Sequence, residues 1–546
     1  MKKILGAAIG TCVHVGGLYH FLKIAEAEGY YSILLGPAVS ISRIVDAIIR
    51  EKPEITAISY RLTPEVAGTL FEELEKALKS KNLSKSRLIF GGTPPVSAIA
   101  RNCSLFERSF DGSESMAEIQ SYLRGTWSDS EKTRYASDLI SRIRENYPYP
   151  ILRHHFGRPT MEETLKGIRE IALSGVLDVI SIGPDQNAQE HFFRPGGMDH
   201  NQTGAGGVPV RSSEDMASLY EASRCGNHPL MRCYAGTRDL LKWAEMSVTT
   251  MNNAWGAIPL CWYNVMDGRS NRTLKEAISE NQSVMKWYAS KNLPVEVNES
   301  HQWSLRDAHD SLAVAMAYLA AYNAKKMGVM NYIAQFMFNT PPGTNPLMDL
   351  AKMAAKLEMI SELEDDSFKI FREVRAGIAH FSPVPFIAKG QLAASAMISL
   401  SMKPHILHVV GYSEGDHATF PGELIESCQI VHGVVRNSLN GLPDVWADEN
   451  ILSRKAELVY EAKVLIESLG YLGADCDDPK AEPYVIASAI KEGFLDTPHF
   501  KGNPHLCGNI ITGLVNGAWY AINPSTGEPI DEEFRLRGII NRLNKQ

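Results

Sequence analysis

Short apolar runs and amphipathic stretches alternate along the first 125 residues. The runs KILGAAIG, YYSILLG, EITAISY and RLIFGG read as strands buried on both faces. Between them, apolar positions recur at helical spacing over 18–28, 40–52 and 64–80. Ser40 or Ser42 is placed to cap the second helix, and Pro64 stands in the first turn of the third. A weaker fifth unit, RSFDG followed by SMAEIQSYLRG, completes five βα units. The pattern predicts an α/β, flavodoxin-like (Rossmann-type) doubly wound sheet over 1–125.

Residues 126–160 lose this rhythm: TWSDSEKTRYASDL is polar, and NYPYPILRHHFGRP is rich in proline and aromatics. They predict a linker, with the His154-His155 pair as a surface or docking feature. From 161 the alternation returns on a larger scale. Strand candidates at 177–183, 229–236, 257–264, 293–300, 331–339, 406–413 and 428–435, separated by helical patterns, predict a (β/α)8 TIM barrel over 161–460. Residues 461–546, helix-rich and then rich in glycine, proline and asparagine, predict a small C-terminal extension.

Composition narrows the classes. The chain has 546 residues, 44% hydrophobic and 22% charged, and a net charge of −8, which gives no electrostatic reason to expect nucleic acid or an anionic membrane as partner. No apolar run approaches the roughly 20 residues of a membrane span. The opening MKKILGAAIG imitates a secretory signal, but Thr11, Cys12 and His14 interrupt it, so it reads as a first strand. Eight scattered cysteines without a Cys-x-x-Cys pair suit a reducing cytoplasm.

Candidate chemistry gathers at strand ends, where ligands of parallel sheets sit. GTCVHVGG places His14 and Gly17 after the first strand; Ser59 and Tyr60 end the third, Gly91 and Gly92 the fourth, and Asp111-Gly112-Ser113 the fifth. The glycine pair would let a bulky ligand lie against bare backbone. This set resembles the cobalamin-binding domain of B12-dependent mutases and methyltransferases, with its Asp-x-His-x-x-Gly, Ser-x-Leu and Gly-Gly motifs. The resemblance implies His14 as lower ligand of the cobalamin cobalt, and a nucleotide tail threading beside Ser59, Gly91 and Gly92. Cys12 stands where the family has aspartate, and Arg61 where a leucine is usual.

The barrel region resembles the large subunit of glutamate mutase. HPLMRCYAGTRDLL, CWYN, the stretch 293–321, YSEGDHATFP and AIKEGFLDTP follow that family in order. The resemblance implies Arg232 as grip on a substrate carboxylate, Tyr263 at the barrel mouth and Glu414 on the cofactor ribose. Only one of the family's three substrate arginines carries over, so a carboxylate other than glutamate is expected; Arg211, Arg224 and Arg269 are candidate replacements. The implied activity is an adenosylcobalamin-dependent radical mutase acting on a small carboxylate. The alternatives are methyl transfer from methylcobalamin, or a non-catalytic cobalamin carrier or sensor. A homodimer is expected, with the cobalamin-binding domain capping its own or a neighbour's barrel. Glu414-Asp416-His417 and His405/His408 are weaker metal-ligand candidates.

Overall fold

The computed structural model describes residues 2–114, 116–124, 135–439 and 441–545. The chain divides into two compact units, Met1–Arg134 and Tyr135–Gln546.

In the first unit, β1 (Lys3–Ile9), β2 (Tyr31–Val39), β3 (Ile55–Tyr60), β4 (Leu88–Gly92) and β5 (Arg108–Phe110) form one parallel sheet in the order β2-β1-β3-β4-β5. This is the flavodoxin-like order. Helices Gly16–Ala27, Ile41–Glu51 and Pro64–Ser80 fall where the periodicity placed them, and the Ser40 side chain caps the second. Two cores, one on each face of the sheet, hold it between helices.

The second unit is a (β/α)8 barrel built from β6 (Ile151–His155), β7 (Val179–Ile182), β8 (Leu230–Cys233), β9 (Gly256–Ile258), β10 (Val295–Val297), β11 (Asn331–Phe338), β12 (Lys369–Ala376) and β13 (Ile406–His408). Backbone bonds from Ala254 N to Met231 O (2.9 Å) and from Ala235 N to Ala257 O (3.1 Å) join β8 to β9 and close the ring. Helix Leu139–Asn146 plugs the amino-terminal end: its Leu139 and Ile143 pack on Ile151, Val179, Leu230, Ile333 and Ile406. Among the described residues no helix is long and apolar enough to cross a membrane.

Three expectations are corrected. Of the expected linker, residues 126–134 lie outside the described residues, while 139–146 is the barrel plug and 151–155 its first strand. The barrel therefore begins ahead of residue 161. The apolar run 428–435 lies within helix Pro421–Ser438, not in a strand; β12 is the strand that the pattern did not show. The expected boundary at 460 falls inside helix Glu449–Leu472, whose Leu458, Leu465 and Leu469 join the barrel core. The hairpin of β14 (Thr512–Val515) and β15 (Ala518–Ala521) is tied to the same body by Trp519 N donating to Asp310 (3.1 Å).

Candidate functional site

The β1 strand ends in a turn that only glycine fits. Gly10 has φ +68°, and a Cβ there would stand 2.9 Å from Leu70. Cys12 then turns inward and is fully buried in the core, whereas His14 is exposed two residues ahead of helix Gly16–Ala27. Position 12 offers the imidazole no carboxylate, and its thiol is packed in the core. Gly17 lies exposed in the helix's first turn, with no atom within 4 Å of where its Cβ would be.

The strand register brings the other expected groups beside this loop. Ala8 pairs with Ser59, and Ser59 with Gly91, so three small residues form a row across β1, β3 and β4 at the carboxyl edge. Ser59 and Gly91 continue the face covered by the helix that starts at Gly16, as Ala57 and Ile89 pack with its Leu18 and Leu22, whereas Ala8 packs in the core of the opposite face. A Cβ on Gly91 would meet nothing within 4 Å. Gly92 points the other way and is a packing glycine: its Cβ would lie 2.5 Å from Tyr60 O. Asp111 is paired with Arg101 and bonded to Ser113, so that loop end is not free.

The barrel interior departs from the usual filling of branched aliphatic side chains. Above the apolar plug lies an ionic layer. Glu296 accepts from Arg153 (3.1 Å), Arg232 (2.8 Å) and the Trp255 indole (2.8 Å), all four residues being buried. Arg153 also pairs with Glu373 (3.3 Å), which takes a bond from Gln335 (3.1 Å). Arg232 is therefore committed within the protein to Glu296 and, at 2.9 Å, to His155. Burial and the Glu296 charge lift the Glu373 carboxyl to about 7, against the pull of Arg153.

The arginines fix the state of two histidines. His154 and His155, expected on the surface, are strand residues, His154 buried in the barrel wall and His155 half-buried on the interior side. His155 Nε2 lies 3.1 Å from Arg153 and 2.9 Å from Arg232. A guanidinium only donates, so Nε2 is the acceptor and the proton sits on Nδ1, towards the Tyr234 hydroxyl at 3.4 Å. His408 Nδ1 accepts from Arg153 at 3.1 Å, which leaves its proton on Nε2. His154 Nδ1 faces the Val409 carbonyl at 2.7 Å and must donate to it. Burial first, and then the neighbouring arginines, holds His155 and His408 well below the usual imidazole range and His301 at about 3.

These depressed values carry a sign. Below pH 6.5 the unfolded chain protonates these imidazoles and the folded chain does not, so stability falls as the pH drops, by up to about 1.4 kcal/mol per pH unit for each group. Glu373 opposes this between about pH 7 and its unfolded value near 4.5, where only the folded state holds its proton. The histidines outnumber it. The unfolding temperature of the barrel is expected to be lower at pH 5.5 than at 7.0, which a calorimetric pH series checks.

At the carboxyl end, Tyr263 in the loop after β9 is buried at φ +70°, a conformation rare for a bulky side chain. Asp267 accepts from its N–H (3.2 Å), while Ser270 (2.8 Å) and Arg272 (2.7 Å) donate to its carbonyl. Such held strain is a feature of functional loops. Burial raises its hydroxyl to about 12, so it stays protonated. Glu414, after β13, folds back onto its own loop, accepting from Gly411 N (2.6 Å) and lying 3.6 Å from His154. No hydrogen bond or ion pair joins Arg232, Tyr263 and Glu414 to one another.

The replacement arginines are also engaged: Arg211 by Asp185 (2.6 Å), Arg224 by Ser223 (2.7 Å), and Arg269 by Asp267 (3.8 Å). His417 bridges Asp416 (2.8 Å) and Glu423 (3.0 Å) on an exposed loop, and among the described residues no three His, Cys, Asp or Glu side chains are grouped to hold a metal ion. Sequence reasoning missed Arg153, Glu296, Glu373 and Arg375, and gave His155 and His408 other roles, as a surface feature and as a metal-ligand candidate. The signal for β12 was its REVRA segment, in which Glu373 and Arg375, two positions apart, face one way.

No family model matches the chain, and no curated protein matches it. Among solved structures, a novel cobalamin-binding protein from Desulfitobacterium hafniense DCB-2 is 26% identical, with a TM-score of 0.20, over 23% of this chain and 59% of its own. The apo, selenomethionine-labelled cobalamin-dependent S-adenosylmethionine radical enzyme OxsB is 9% identical, with a TM-score of 0.17, over 89% of this chain and 70% of its own.

Proposed function

We propose that this chain is a cobalamin-dependent enzyme whose barrel rearranges the carbon skeleton of a small carboxylate. The observation that carries the reading is the edge of the first unit. An exposed imidazole at 14 follows β1 at the carboxyl edge of the sheet, the edge where Ser59 and Gly91 lie side by side with open space beside Gly91. These residues fit the group: His14 would ligate the cobalt, and Ser59 and Gly91 would line the nucleotide tail. With Cys12 buried, His14 would ligate without a carboxylate behind it, which neutral imidazole can do.

Bound adenosylcobalamin supplies the radical chemistry that moves a carbon-bound group between neighbouring carbons. The chain's own residues bind and orient. The ionic layer holds His155 and His408 neutral in fixed tautomers, Arg232 acts as a positioning residue for His155, and Tyr263 presents a protonated hydroxyl from a strained loop. The buried interior excludes water from a reactive intermediate.

The test is an absorption spectrum of the full chain reconstituted in the dark with adenosylcobalamin, beside His14→Ala. The expected spectrum is the base-off, histidine-ligated form. The variant is expected to lose it and to bind at least about 100-fold more weakly. Its unfolding temperature should stay unchanged, because His14 is exposed. A wild-type spectrum indifferent to the substitution sinks the reading.

A further inference from the structure

The β12 strand ends Glu373-Val374-Arg375-Ala376. Glu373 faces the barrel axis, where it meets Arg153 and Gln335, and strand alternation puts Arg375 on the same face, one rung nearer the carboxyl end. Arg375 is only 9% exposed. Yet its one hydrogen bond runs from Nε to the carbonyl of its neighbour Ala376 (3.2 Å), and among the described residues no carboxylate pairs with it. The interior arginines below it are neutralised, Arg153 by Glu296 and Glu373 and Arg232 by Glu296. Arg238, also without a carboxylate partner, is half-exposed in the loop after β8, where water can serve it.

A guanidinium nine-tenths buried without a counter-charge is costly, so its terminal nitrogens call for a partner from outside the chain. Its surroundings say which kind. The β12–β13 register, Val374 opposite Leu407, runs on to set Arg375 beside His408, and the Arg375 charge is among the causes that depress His154, His155, His301 and His408. His408 has a free Nε2–H, its Nδ1 being taken by Arg153. Asn298 follows β10 on the face of Glu296, and its Nδ2 is buried without a partner. Inward-facing N–H donors on β13 and after β10 thus share the barrel interior with a cation that no carboxylate neutralises, which is the setting of an oxyanion. One unpaired positive charge balances a monoanion and leaves a dianion half compensated. The planar fork of the guanidinium also matches a carboxylate, oxygen for nitrogen.

We propose that Arg375 is the substrate anchor of the barrel, gripping the carboxylate of a small monocarboxylic acid through its two terminal nitrogens, with Asn298 and His408 donating beside it. The proposal rests on the reading of the barrel as the substrate site and deepens it, giving Arg375 the role that the resemblance implied for Arg232.

The test uses the full chain without added cofactor, so its failure is separate from that of the His14 spectrum. Isothermal titration with straight-chain monocarboxylates from acetate to hexanoate, and with inorganic phosphate, is run on wild type, Arg375→Gln and Arg375→Lys. At least one monocarboxylate should bind wild type, bind Arg375→Gln at least about 10-fold more weakly, and bind Arg375→Lys with intermediate affinity. The unliganded Arg375→Gln chain should unfold at the same temperature as wild type or higher, because a buried unpaired charge has been removed. A lowered unfolding temperature or failure to fold would make Arg375 structural and overturn the proposal. Carboxylate binding indifferent to the substitution, absent from wild type, or replaced by phosphate binding would overturn it too.

Discussion

Glu296→Gln is expected to destabilise the barrel unit by about 3–5 kcal/mol, measured as the shift in denaturant midpoint of the full chain. The substitution keeps the shape and removes one charge. Glu296 is fully buried and its Oε2 collects three donors, from Arg153 (3.1 Å), Arg232 (2.8 Å) and Trp255 (2.8 Å). After the change, two buried guanidiniums share the single carboxyl of Glu373, already lifted to about 7. The neutral amide cannot repay their desolvation. Glu373 is then the one remaining counter-charge, so its proton should leave at lower pH than in wild type, a shift that isotope-edited infrared spectroscopy can follow. Removing the charged pair together tests the cause: Arg232→Met with Glu296→Met should recover much of the loss, because an apolar pair needs no compensation. If the single and double variants are equally unstable, the layer contributes by packing and not by charge.

The same layer explains what was legible in the sequence and what was not. The first unit could be read closely, because its strands are apolar on both faces and its helices carry the complementary period, as Ile41–Glu51 does behind its Ser40 cap. The barrel was legible as a class, but two of its strands were hidden. In β6 the inward positions hold Arg153 and His155, and in β12 Glu373 and Arg375, so the side that normally carries the apolar signal is charged. Residues 428–435 failed in the opposite direction: a helix buried on one side offers a short apolar run that periodicity cannot tell from a strand. Of the candidate residues, those chosen by position at strand ends were placed at one edge by the register, whereas the free or paired state of an arginine depends on partners distant in the chain. Glu296 stands 64 residues from Arg232 and 143 from Arg153. Nothing local marks such a pair.

Gly91→Leu should abolish cobalamin retention by the full chain, at least about 100-fold in affinity, and leave its unliganded unfolding temperature unchanged. Gly91 is not in a left-handed conformation, and a side chain added there enters space with no atom within 4 Å, so the fold has no reason to object. That same space, in line with Ser59, is where the nucleotide tail would lie, and a leucine fills it. The neighbouring glycine provides the control. In Gly92→Ala the new methyl would stand 2.5 Å from Tyr60 O and 2.7 Å from the Phe90 ring, so backbone must move. That substitution should cost about 1–3 kcal/mol of stability and leave cobalamin affinity within a few fold of wild type. Equilibrium dialysis against adenosylcobalamin in the dark, with thermal unfolding of the same samples, separates the two. If both substitutions damage stability alike, Gly91 is a packing glycine as Gly92 is, and the groove loses its assignment. If neither affects retention, the cofactor lies elsewhere on this edge and the row Ala8–Ser59–Gly91 is a feature of the sheet alone.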